Sequence, residues 1–187
     1  MTRKGRLFVV SAPSGAGKGT VIRKILELRP DLALSISATT RTPRTDEADG
    51  VSYYFVTHEA FREMVRENEF LEHAEYVGEY YGTPKKPVEE YLSNGKDVLL
   101  EIEIQGAKQV MQAMPECVTI FIVPPDMDEL ERRLRGRGTD SDGKLEARLQ
   151  KAHQEMSERD RYMHIIVNDE VLCAAQEIIA IIDSNCQ

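Results

Sequence analysis

The chain alternates short, almost wholly apolar runs with longer stretches in which apolar residues recur every three or four positions. Leu7-Phe8-Val9-Val10, Val98-Leu99-Leu100 and Val118-Thr119-Ile120-Phe121-Ile122-Val123 are rich in β-branched or aromatic residues and lack in–out alternation, as strands buried on both faces do. Helical spacing predicts helices at about 18–29, 105–113, 126–136, 145–160 and 170–183. The third opens on Asp126 with Glu129 three residues on, a capping-box arrangement, and the fourth carries an apolar stripe of Leu145, Leu149, Ala152 and Met156. Buried strands alternating with helices predict an α/β fold, a parallel central sheet flanked by helices.

Residues 35–95 break this rhythm, being rich in Thr, Arg, Tyr and Glu with short strand patterns near 52–56 and 70–77. No repeat or low-complexity stretch is visible. The expected organisation is one domain over 1–187: a core of about 1–34, 96–125 and 156–187, an inserted α+β subdomain at about 35–95, and a mobile lid at about 126–155.

Length and charge narrow the function. The 187 residues carry 24 Lys and Arg against 32 Asp and Glu, a net charge of −8, which argues against a chain that wraps nucleic acid or lies on an anionic membrane. The early apolar run, Leu7 to Val10, is shorter than a signal-peptide core or a membrane span. Cys117, Cys173 and Cys186 form no C-x-x-C pair and read as reduced structural thiols of a cytoplasmic protein. The scattered histidines His58, His73, His153 and His164 offer no helical i, i+4 pair, so no protein-held metal is expected.

After the first strand comes Ser11-Ala12-Pro13-Ser14-Gly15-Ala16-Gly17-Lys18-Gly19-Thr20, then a helical run. A loop of small residues lets backbone N–H groups converge on phosphate oxygens, the helix N-terminus adds positive potential, and the lysine reaches the outer phosphates. Against the pattern G-x-x-x-x-G-K-[ST], Ala12 replaces the first glycine and Gly19 the hydroxyl residue, leaving Thr20 or water to complete a magnesium shell.

Two sets of carboxylates fall where apolar residues are expected. Strand alternation groups Phe70, Glu72, Ala74 and Tyr76 on one face. A carboxylate there requires donors, such as the adjacent N1–H and N2–H₂ of guanine; a solvent-facing edge with a cross-strand Lys or Arg satisfies the same pattern. In Asp97 to Ile104 alternation puts Glu101 and Glu103 together on the face opposite Val98, Leu100, Ile102 and Ile104, at the carboxyl end of a strand, where α/β sheets bind ligands. A solvated pair is the alternative.

Two arginine groups call for anions. Arg41 and Arg44 lie three apart on a segment stiffened by Pro43, ahead of Tyr53, Tyr54, Tyr80 and Tyr81, which suits phosphate. Arg133 and Arg137, at i, i+4, repel one another unless an anion binds, and the polar stretch Thr139 to Gly143 with Arg148 beyond suggests a closing lid; a solvated basic face is the alternative.

These motifs together resemble the guanylate kinase family over roughly residues 5–183: the loop Ser11 to Lys18, Ser37 through Arg44, Phe70-Leu71-Glu72, Tyr80-Tyr81-Gly82-Thr83, Glu101 through Gly106, Arg133 to Gly138, and Val167-Asn168-Asp169, in order. The resemblance implies a P-loop NTPase-type fold and ATP:GMP phosphotransfer, with ATP and GMP as substrates and Mg²⁺ carried on ATP. It implies that Arg41, Arg44, Tyr53 and Tyr81 hold the GMP phosphate, that Ser37, Glu72, Thr83 and Glu103 read guanine with Glu101 beside them, and that residues 12–20 cradle the ATP phosphates. Arg133, Arg137 and Arg148 would close over the transferring group and Asn168 would lie near adenine. The rivals are a non-catalytic guanylate-kinase-like interaction module and a kinase for another nucleoside monophosphate.

Overall fold

The computed structural model describes residues 3–76, 78–136 and 142–185. In chain order its elements are β1 (Leu7–Ser11), α1 (Lys18–Leu28), β2 (Ala33–Leu34), β3 (Ala38–Thr39), β4 (Tyr54–Phe55), α2 (His58–Arg66), β5 (Phe70–Tyr76) and β6 (Glu79–Pro84). There follow α3 (Lys85–Ser93), β7 (Val98–Glu101), α4 (Ile104–Ala113), β8 (Val118–Val123), α5 (Met127–Arg135), α6 (Asp142–Met156), β9 (His164–Val167) and α7 (Val171–Ser184).

The apolar runs pair as a parallel sheet in the order β2-β7-β1-β8-β9, with Leu7 opposite Val98 and Phe8 opposite Val118. Alternate residues of β1 feed two cores. Phe8 and Val10 pack with Val21, Ile22 and Ile25 of α1 and Ile178 and Ile182 of α7, while Leu7 and Val9 pack with Val88 of α3 and Ala107 and Val110 of α4. A sheet covered on both faces explains the unbroken apolar runs and makes the fold α/β. Leu130 and Leu134 of α5 pack on Ala152 and Leu149 of α6 as a small separate cluster, and the Asp126 carboxylate accepts from the Glu129 N–H at 2.7 Å.

Between β2 and β7 the chain builds a second sheet, β4-β3-β6-β5, mostly antiparallel. Helix α2 covers it through Phe61, which stacks on Phe70 at 4.5 Å and Tyr80 at 5.4 Å.

Three expectations change. The strand pattern through Ile104 stops at Glu101, because the Ile102 carbonyl accepts from the Ser11 hydroxyl (2.9 Å) and Lys18 Nζ (3.0 Å) instead of pairing with a strand. Glu103 is the residue before α4, so Glu101 and Glu103 do not share a strand face. Cys173 is exposed, so of the two described cysteines only Cys117 is buried, and burial pushes its thiol up to about 11; Cys186 lies outside the described residues. No helix among the described residues is long and apolar enough to cross a membrane.

Candidate functional site

The turn from β1 to α1 is held by side chains behind it. Gly17 caps α1 in a left-handed conformation (φ 89°), and a Cβ there would stand 2.6 Å from Asn168 Nδ2. That amide donates to the Ala16 carbonyl at 2.7 Å; Arg133 donates to the same carbonyl at 3.3 Å and to the Asn168 carbonyl at 2.9 Å. Asn168 is 2% exposed, and its Oδ1 is buried without a hydrogen-bond partner. A glycine is required at position 17 both by the backbone angle and by this contact.

Arg133 also pairs with Glu129 at 2.6 Å, while Arg132 shares Glu129 and Arg135 pairs with Glu131. Arg132, Arg133 and Arg135 are thus each paired with a carboxylate three or four residues earlier. Arg137 lies outside the described residues, as do Gly138 and residues 139–141 of the polar stretch.

In front of the loop lies a cavity of about 740 Å³, lined by Ala12 through Gly15, Gly17 through Thr20, Arg44, Tyr53, Glu101 and Glu103 among others. Lys18 Nζ, besides its bond to the Ile102 carbonyl, is 3.5 Å from Glu103 Oε1. A Cβ at Gly19 would meet Glu101 Oε1 at 3.4 Å, so the carboxylate at the end of β7 stands against the loop where a hydroxyl residue is usual. The Ser14 N–H donates to Glu155 Oε2 at 2.9 Å, and Arg148 donates to the Ser14 hydroxyl at 3.3 Å.

An adjoining cavity of about 390 Å³ is lined by Ser37, Tyr53, Glu72, Tyr81, Glu101, Glu103 and Lys18, among others. Glu72 is 5% exposed, and its register partner Thr83 donates its hydroxyl to Glu72 Oε1 at 2.7 Å. The expected face of Phe70, Glu72, Ala74 and Tyr76 changes at its first member: the register of β5 shifts between Phe70 and Glu72, so Phe70 packs with Phe61 and His73 while Glu72, Ala74 and Tyr76 line the cavity. Burial holds this carboxyl above the usual carboxylate range, with the Thr83 bond working in the opposite direction. Its other oxygen lies against α4, where a Cβ on Gly106 would come within 2.2 Å. The partner across the strand is therefore a threonine, not a lysine or arginine.

At the rim, Arg41 lies 5.5 Å over the Tyr53 ring and pairs with Glu47 at 2.8 Å, and the Arg44 N–H donates to the other Glu47 oxygen at 2.8 Å. The hydrogen bond from Arg41 holds Glu47 below the usual carboxylate range. Tyr53 and Tyr81 meet edge-on at 6.1 Å, and burial raises the Tyr53 phenol, which keeps it a donor.

The structure thus brings Lys18, Gly19, Thr20, Arg44, Tyr53, Glu101 and Glu103 onto one cavity and Ser37, Glu72 and Tyr81 onto its neighbour, while Thr83 and Asn168 are buried behind them. Sequence reasoning missed Glu47, three residues after Arg44, and Lys151 and Glu155. Those two share a helical face with Arg148 at i+3 and i+7, which was a usable signal.

Comparison with known proteins gives the family. The family model described as Guanylate kinase matches residues 4–185. The chain is 48% identical over 182 residues to a guanylate kinase of Clostridioides difficile strain 630, covering 97% of this chain and 89% of that one. With a guanylate kinase of Thermus thermophilus it shares 53% identity over 179 residues, 96% of this chain and 81% of the relative. The crystal structure of guanylate kinase from Anaplasma phagocytophilum superposes with a TM-score of 0.81 at 36% identity, covering 98% of this chain and 87% of that one. The chain belongs to the guanylate kinase family and is a nucleoside monophosphate kinase.

Proposed function

We propose that this chain transfers the γ-phosphoryl group of ATP to GMP, reversibly, giving ADP and GDP, with ATP on the phosphate loop and GMP in the cavity beside Glu72. The observation that carries the acceptor assignment is the buried Glu72: a carboxylate bonded by Thr83 on one edge and facing a cavity is matched by the paired N–H donors of guanine, whereas adenine offers an acceptor at N1. Ser37, Glu101 and Glu103 complete that side, and Thr83 acts by holding Glu72. Arg41, Arg44, Tyr53 and Tyr81 receive the GMP phosphate, which displaces Glu47 from Arg41.

Residues 12–20 cradle the ATP phosphates, and Lys18 lies between the two cavities, where donor and acceptor phosphates meet. Arg133 and Asn168 support the loop from behind; Arg148 and Arg137 belong to the part of the chain, about 126–155, that closes as a lid. Residues 35–95 form the GMP-binding insertion, and the rest is core. Because the GMP phosphate is already an anionic nucleophile, no general base is needed, and catalysis is positioning and charge neutralisation.

Among the described residues no group of three or more His, Cys, Asp or Glu side chains could hold a metal ion. A magnesium ion that arrives on ATP and keeps several waters suits one hard oxygen donor at the loop, and Glu101 beside Gly19 is the residue that would supply it. Bound there, the ion would neutralise phosphate charge. These nucleotide substrates imply a cytoplasmic reaction.

The test is ADP formation from ATP and Mg²⁺ with GMP, AMP, dTMP, UMP or no acceptor. Dependence on GMP alone is the expected result. Turnover with AMP overturns the acceptor assignment, and GMP binding without turnover favours an interaction module.

A further inference from the structure

Helix α6 touches both sides of the cleft through one charged face. Lys151 Nζ stands 4.4 Å from the centroid of the Tyr76 ring, at the end of β5 in the second sheet. The same ammonium lies 3.5 Å from Glu155 Oε1, and Glu155 Oε2 accepts the Ser14 N–H of the phosphate loop at 2.9 Å. Lys151 and Tyr76 also line the larger cavity together.

Glu155 is a carboxylate with only 12% of its side chain exposed, beside a loop that must receive an anion. Left without cations, it would both lose solvation and repel phosphate. The Ser14 N–H and the Lys151 ammonium supply what water does not, and Lys151 takes the aromatic face of Tyr76 as a second partner. A surface lysine on a helix needs no partner from another element; this one has the end of β5 on one side and a path to the loop on the other.

We propose that Lys151 is a positioning residue for phosphoryl transfer, tying the sheet that holds GMP, through Tyr76, to the loop that holds the ATP phosphates, through Glu155 and Ser14. Lys151 acts by setting the separation of the two sites, to which the rate of an in-line transfer is steeply sensitive. The proposal rests on the assignment of the second sheet to GMP.

The test compares four single variants and one double. Lys151→Met keeps the stem and removes the charge; it lowers kcat/KM for GMP about two- to fivefold, the scale of an exposed cation–π contact, with KM for ATP and the melting temperature unchanged. Lys151→Arg restores the rate, because guanidinium also stacks on an aromatic ring. Tyr76→Leu reproduces the loss, and Tyr76→Phe does not. The double variant Lys151→Met/Tyr76→Leu is no worse than the weaker single, because one link is lost only once. Exchange of the Ser14 amide with solvent, followed in the nucleotide-free enzyme, speeds up in Lys151→Met. Wild-type kinetics in Lys151→Met, or losses that multiply in the double variant, overturn the proposal. Failure of the underlying assignment shows separately, as a Glu72→Gln variant that uses GMP normally.

Discussion

The two sides of the cleft are built from different materials. On the side proposed for ATP the candidate binding groups are backbone amides of residues 12–20, and their positions depend on a left-handed Gly17 and on Asn168 and Arg133 bonded to the Ala16 carbonyl. On the side proposed for GMP the candidate groups are side chains on the four-stranded sheet or on the segments beside it, and several have an internal partner: Glu72 with Thr83, Arg41 with Glu47, Tyr53 with Tyr81. A backbone site depends on conformation and tolerates few substitutions that alter φ. A side-chain site depends on charge and reach, so single substitutions should abolish recognition there without disturbing the fold.

The largest effect separating the two sides is expected at Lys18, which faces both. Lys18→Ala should lower kcat by about 10²–10³-fold, the scale for losing one preorganised donor to a transition-state charge, with the melting temperature retained. Turnover within about threefold of wild type would remove Lys18 from the transfer step.

Next comes Glu72→Gln, expected to lower kcat/KM for GMP about 10–100-fold, as for loss of charge-assisted hydrogen bonds, with ATP binding intact. The same residue predicts a pH dependence. Burial raises its carboxyl above the unfolded value, so its protonated form is the one that stabilises the free protein; this contribution is present at low pH and is lost as pH rises through the raised value. Glu72→Gln should therefore melt higher than wild type at neutral pH and converge with it on acidification. GMP needs the ionised carboxylate, so wild-type KM for GMP should rise on acidification before that of ATP does, and the rise should vanish in Glu72→Gln.

Gly106→Ala sharpens the comparison from the side of packing. An added Cβ would lie 2.2 Å from Glu72 Oε2, so the carboxylate must swing away. The variant should lose GMP use about tenfold, a cost of about 1.4 kcal/mol, with KM for ATP within error; equal loss for both substrates would mean that α4 itself had moved. The smallest effect is expected at Glu47→Gln, which frees Arg41 from its internal anion. KM for GMP should fall about twofold, the scale of an exposed ion pair, and less at high salt.

How legible these features were depended on the range of the interactions behind them. The strands Leu7–Ser11, Val98–Glu101 and Val118–Val123 and the helices after them stood out because a sheet covered on both faces demands apolar runs. Strands β2 and β3 escaped notice because two-residue strands carry no period, whereas β4 falls within the pattern near 52–56; β9 escaped because His164 and Val167 are not buried while Ile166 is. Ile102 and Glu103 read as strand because alternation continues through them; only the Ser11 hydroxyl and Lys18, distant in sequence, claim the carbonyl that ends it.

By itself the sequence determined the local chemistry: a small-residue loop with its lysine between a buried strand and a helix, paired arginines on a proline-stiffened segment, and carboxylates among apolar neighbours, all dictated by residue type and spacing. Tertiary structure decided which of those charges meet. That Glu129 neutralises Arg133 is a contact within one helix, but that Thr83 holds Glu72, Gly106 makes room for it, Glu155 takes the Ser14 amide and Lys151 reaches Tyr76 follows from chain segments brought together by the pairing of β5 with β6, the packing of α4 on β5 and the packing of α6 on α5. Hydrogen bonds and ion pairs act over a few ångströms, so such partners across distant segments exist only once the hydrophobic cores have set the backbone.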